Sequence, residues 1–133
     1  LAIPGGCENF RDGCGCEVCL ENIDAAWRDG IPSLARMPQS GVFVRPTRAP
    51  NGSDVTVGGL AHGWQATLQK WASEIVTPRL ANGSVAGVFL GDEICCHNSS
   101  CWHGQLYPMS AYLRELLGAK AILYTNECQD SFS

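Results

Sequence analysis

Positive charge is scarce in this chain. Nine Lys and Arg stand against 13 Asp and Glu, a formal net charge of -4 over 133 residues. With no basic stripe to meet a phosphate backbone, nucleic-acid binding is not expected. Charge of either sign is sparse at 17%, and hydrophobic residues reach 45%, so the composition of a disordered chain is missing too. No apolar run approaches the roughly 18 residues that a membrane span needs. The chain opens on Leu1, without a Met or a positively charged leader. We read it as a mature chain, or a fragment, whose signal peptide has been removed.

What is present is a single domain's worth of sequence with four Trp, 15 Gly and eight Cys, at positions 7, 14, 16, 19, 95, 96, 101 and 128. Three acceptor sequences for N-glycosylation accompany them, at Asn51, Asn82 and Asn98. Two of these are Asn-Gly pairs that also serve as turns. An even number of cysteines together with these sequons points to an oxidising compartment, so the protein is expected to be secreted and disulfide-bonded.

Hydrophobic periodicity divides the chain into a Cys-rich N-terminal segment with a short helix (1–30) and a βαβαβ portion (31–133), forming one compact domain. Leu20, Ile23 and Trp27 recur at helical spacing, and Gly30 sits where a helix would stop. Residues 30–40, with Pro32 and Pro38, read as a connection, and Val42-Phe43-Val44 as the first strand. Trp64, Leu68, Trp71, Ala72, Ile75 and Val76 form an apolar helical stripe that Pro78 is expected to end or kink. Val85–Leu90 is the second strand and a Cys-rich loop (94–106) follows. Met109, Tyr112, Leu113, Leu116 and Leu117 mark another helix, closed by Gly118, and Ala121–Thr125 is the third strand. Strand–helix alternation implies an α/β fold with parallel strands and crossover helices.

The second and third strands are nearly continuous apolar runs, as in parallel strands buried on both faces, and each stops at acids. One ends in Asp92-Glu93, the other in Asn126-Glu127. In parallel sheets chemistry gathers at the carboxyl ends of strands. An Asp there is often only a cap for the next turn, but Asp92 and Glu93 side by side make a stronger pattern. Side chains alternate between faces, so we assign Glu93 to the central site and Asp92 to orienting it. Neighbouring strands lie about 4.8 Å apart, which would bring the Glu93 and Glu127 carboxylates within about 5–9 Å, the range used in glycoside hydrolysis. Such closeness raises one pKa, as a general acid requires.

The run Gly87-Val88-Phe89-Leu90-Gly91-Asp92-Glu93, with Tyr124-Thr125-Asn126-Glu127, resembles the strand ends of (β/α)8-barrel glycoside hydrolases over roughly residues 41–127. The resemblance implies a partial, TIM-barrel-like fold of roughly half a barrel. It also implies that Glu127 is the acid/base, that Asn126 holds a sugar hydroxyl, and that carbohydrate is the ligand. The family's nucleophile sits on a late strand, beyond the third strand of this chain. Glu93 or a second chain would have to supply that carboxylate. A half-barrel exposes strand edges that proteins ordinarily cover. A partner chain or a homo-oligomer is therefore expected, and the competing reading is a non-catalytic structural or recognition glycoprotein.

Cys7, Cys14, Cys16 and Cys19 are too irregularly spaced for a paired zinc motif, so disulfides are favoured and neither metal nor cofactor is expected. Cys95 and Cys96 are adjacent, and each is expected to pair elsewhere, Cys101 being a natural partner for one. Cys128 is placed to tie the third strand's end to that loop. Trp64 and Trp71 belong in the core. Trp102, beside His103, and His62, ahead of the long helix, are the candidates for contact with a sugar at the site's rim.

Overall fold

The computed structural model describes residues 1–44, 59–92, 95 and 101–126. Among these residues three strands form one parallel sheet in the order β1 (Ser33–Arg36), β2 (Val85–Asp92), β3 (Ile122–Asn126). The helices are α1 (Glu17–Arg28), α2 (Trp64–Trp71), α3 (Thr77–Asn82) and α4 (Tyr107–Leu117). The chain is an α/β protein, as its strand–helix alternation implies.

The first strand lies elsewhere than the sequence pattern suggests. Phe43 makes only an isolated antiparallel bridge to Leu60, whereas β1 occupies part of the stretch read as a connection. Val42 and Phe43 are buried in the core, and two backbone bonds flank the bridge, Val44 N–H to Gly59 O and Ala61 N–H to Val42 O, but the pairing is too short to make a strand and stands apart from the parallel sheet. Ser33–Arg36 contains no β-branched or aromatic residue, and local propensity gives no sign of it. Pairing with β2 makes it a strand, and Pro32 and Pro38 stand outside its ends, where a missing N–H costs the ladder nothing. The outer edge of β1 is partly covered by the N-terminus: Ala2 N–H donates to Pro32 O at 3.0 Å and Leu34 N–H to Ala2 O at 2.8 Å.

Pro78 does not end its helix. The stripe beginning at Trp64 runs through a π turn at Ala72–Val76 into α3, where Pro78 occupies the first turn. The wider π turn ahead of it accommodates the ring and the missing N–H. The same device recurs before α4, where the π turn Trp102–Leu106 precedes Pro108. Residues 101–106, read as loop, are therefore helical.

Val88, Leu90, Leu68, Val76, Met109 and Leu113 are buried in one core. Cys14, Cys19 and Ile23 join the same cluster, so the N-terminal segment has no core of its own. Trp71 strengthens the union: its buried indole Nε1–H donates to the carbonyl of Cys14 at 2.9 Å. Trp71→Phe would leave that carbonyl unpartnered and is expected to cost about 1–3 kcal/mol, read from the shift of a denaturant midpoint.

Among the described residues, three disulfides join Cys7 to Cys16, Cys14 to Cys19 and Cys95 to Cys101. The four N-terminal thiols are thus removed from metal binding, and Cys101 has taken Cys95 as its partner. Cys96 and Cys128 lie outside the described residues. Replacing both Cys14 and Cys19 with Ala is expected to cost about 2 kcal/mol by chain entropy, again visible in a denaturant midpoint.

Candidate functional site at the carboxyl ends of β2 and β3

The register of β2 on β3 decides what the strand ends bring together. Gly87 pairs with Ile122, Val88 with Leu123 and Phe89 with Tyr124. The pairing then shifts, so that Gly91 meets Thr125 and Asp92 meets Asn126. Continuing the first register would have set Asp92 opposite Glu127. The irregularity at Leu90 sets it opposite Asn126 instead, and the next residue of each strand in sequence is a glutamate, Glu93 and Glu127. Bulges of this kind occur where a strand end is re-aimed. Thr125 helps to hold this one, its hydroxyl donating to the Gly91 carbonyl at 3.2 Å.

β2 is the middle strand and is buried from Val85 to Gly91 apart from the half-buried Ala86. That fits its continuous apolar sequence. β3 has a similar sequence and a different environment. Leu123 packs on the core, whereas Ile122 is 42% and Tyr124 46% exposed. Among the described residues no strand pairs with its outer edge. Sequence alone does not separate a central strand from an edge strand, because the difference lies in what covers it.

On the exposed face of β3 an aromatic row runs across the sheet. Arg36, Phe89 and Tyr124 are register partners on the three strands. The Arg36 guanidinium carbon stands 5.2 Å from the Phe89 ring centroid, and Phe89 and Tyr124 stack at 5.7 Å with 26° between their planes. Phe89 is covered at 7% exposure while Tyr124 offers much of its ring to solvent. Asn126 follows Tyr124 by two residues, is likewise exposed, and shares its face. Arg36, Phe89 and Tyr124 are not among the residues that the sequence pattern singles out. The available signal was the period of two that links Tyr124 to Asn126. Arg36 gave none, since β1 itself was not legible.

On the opposite face, a groove of about 400 Å³ lies between α4 and the ends of β2 and β3, bordered by Leu90, Leu106, Ser110, Leu123 and Thr125. Arg114 also borders it, but its Nη1 donates to the carbonyls of Gly118 (2.9 Å) and Ala121, closing the α4–β3 turn.

Asp92 ends β2 and Asn126 ends β3, as paired partners. Glu93, Glu127, Asn51 and Asn98 lie outside the described residues. His62 is exposed in the turn leading into α2, His103 is exposed within the second π turn, and Trp102 opens that turn instead of standing in a loop. Among the described residues, no group of three or more His, Cys, Asp or Glu is placed to hold a metal ion, and no helix is long and apolar enough to cross a membrane.

Comparison with protein-family models, with curated proteins and with solved structures finds no match to this chain.

Proposed function

We propose that this chain is a secreted carbohydrate-active protein, related in architecture to part of a (β/α)8 barrel, that takes a sugar at the carboxyl ends of β2 and β3. The observation that carries the reading is the shifted register, which pairs Asp92 with Asn126; in the sequence each of these is followed by a glutamate, Glu93 and Glu127. In this reading Glu127 is the general acid/base and Glu93 the second carboxylate. Asn126 hydrogen-bonds a sugar hydroxyl, and Asp92 orients its neighbour. The exposed ring of Tyr124, backed by Phe89 and Arg36, offers an apolar platform for the face of a pyranose. Trp102 and His62 belong to the rim. Three disulfides support an oxidising compartment.

The test is binding and hydrolysis across a panel of oligosaccharides, by calorimetry and by release of reducing ends. Wild type is compared with Glu93→Gln, Glu127→Gln and Tyr124→Ala. Tyr124→Ala is expected to weaken binding by about 1 kcal/mol, the order of one aromatic ring contact. If all three variants bind and turn over sugar as wild type does, the reading fails.

A second reading has its own observation. The outer side of β3, with which no described strand pairs and beside which Ile122 and Tyr124 are exposed, suits a non-catalytic recognition or structural glycoprotein that completes its sheet against a partner chain or a second copy. Native mass spectrometry separates the two. A stable, monodisperse monomer in dilute solution removes this second reading, and a complex lost on Tyr124→Lys supports it.

A further inference from the structure

We propose that Asn82 carries an N-linked oligosaccharide whose first sugar rests on the indole of Trp27. This rests on the secreted compartment proposed above, but not on the carbohydrate activity. Asn82 is the exposed last residue of α3, and Gly83 turns the chain toward β2 in a left-handed conformation with φ of 87°. The Asn82 side-chain oxygen accepts the N–H of Ser84 at 2.8 Å. That bond fixes the carboxamide through its oxygen and does not use the nitrogen to which a sugar is joined.

Trp27 lies alongside. A Cβ built on Gly83 would stand 3.3 Å from Cζ2 and Cη2 of the indole, so the ring rests on the backbone next to Asn82. Trp27 is nevertheless 42% exposed, although its helical spacing with Leu20 and Ile23 marks it as a residue of the packed stripe. A half-bare indole beside an acceptor Asn is a platform for the apolar face of a sugar.

Ser84 supplies the independent observation. Its side chain is buried at 2% exposure, and among the described residues its hydroxyl has no hydrogen-bond partner. A buried, unpartnered hydroxyl is unfavourable, and Ala at this position would suit the fold better. The hydroxyl is accounted for if it is needed earlier, when Asn82-Gly83-Ser84 is recognised in the unfolded chain. In that step the Asn82 amide nitrogen bonds the anomeric carbon of an oligosaccharide held on a lipid pyrophosphate. The anomeric C–O bond breaks, and the amide proton leaves with the released lipid pyrophosphate. Ser84 is buried only afterwards. Asn82 precedes Val85, the first residue of β2, so the glycan stands at the amino end of that strand, away from the proposed sugar site at its carboxyl end.

The deciding experiment is peptide mapping of the chain isolated from its source, before and after peptide N-glycosidase. The expected result is an oligosaccharide on Asn82, with conversion of that residue to Asp on release. An unmodified Asn82 in a disulfide-bonded chain overturns the proposal and leaves the secreted reading standing; unoxidised cysteines overturn both. In a secreting eukaryotic host, Ser84→Thr is expected to keep the glycan and Ser84→Ala to lose it. The thermal midpoint of Ser84→Ala should be no lower than that of enzymatically deglycosylated wild type, and a lower midpoint contradicts the argument from the hydroxyl. The contact with Trp27 is read separately: the glycan should raise the midpoint by roughly 2–4 °C, and Trp27→Ala should abolish that rise. A rise that survives in Trp27→Ala refutes the stacking.

Discussion

Replacing Gly87 with Ala is expected to destabilise the protein by about 3 kcal/mol or more. Gly87 lies in the central strand, paired with Ile122, and an added Cβ would fall on the carbonyl oxygen of Ile122 while standing 2.6 Å from its carbonyl carbon and its nitrogen. Every atom it meets is backbone, so no side chain can swing aside. The strands must separate along the line that holds β2 to β3, and the loss is a large share of the roughly 5–15 kcal/mol by which a domain of this kind is stable. Denaturant unfolding of the purified variant, followed by circular dichroism, measures it. A midpoint within the roughly 0.5 kcal/mol typical of a neutral surface change would show that β2 and β3 are not packed at this distance.

If the proposed function holds, Glu127→Gln is expected to reduce turnover of a sugar substrate by about 10²–10⁴-fold, the usual contribution of one general acid–base group. Gln keeps the volume and hydrogen-bonding reach of Glu but cannot exchange a proton. The loss should therefore depend on the leaving group. An unactivated glycoside needs a proton delivered to its departing oxygen and should show the full decrease, whereas an aryl glycoside with an acidic phenol leaves unaided and should show far less. Glu93→Gln should impair both substrates alike, because a nucleophile or base is needed whatever departs. Equal losses for Glu127→Gln on the two substrates would remove the acid role from that residue. The pH profile gives a second reading: general-acid catalysis is lost as pH rises through the acid's pKa, so the high-pH limb should vanish in the variant.

How much of this was legible beforehand varies by element. β2 was, because a central strand covered on both faces must be apolar nearly throughout, and Val85–Leu90 carries that requirement in its own residues. The helical stripe from Trp64 to Val76 was legible for the same reason. Its continuation past Pro78 was not, since a Pro that kinks a helix and a Pro in a new first turn look alike until the π turn ahead of it is seen. β1 was hidden because Ser33–Arg36 owes its extension to Pro32, Pro38 and the neighbouring β2, and little to its own propensity. At the site, Asp92 and Asn126 could be named as strand ends, but not as partners.

The chain by itself determined an α/β order of elements, a shared set of buried apolar residues, a cysteine framework suited to disulfides and the positions at which two strands run out into acids. These follow from periodicity and composition, which record whether a residue is covered. Tertiary structure alone decided who covers whom: that Cys14 pairs with Cys19, that no described strand pairs with the outer side of β3, that Arg36, Phe89 and Tyr124 form one row, and that a single-residue shift at Leu90 sets Asp92 against Asn126. Register and disulfide pairing are relations between segments distant in sequence, and no local pattern encodes a one-residue offset between two strands.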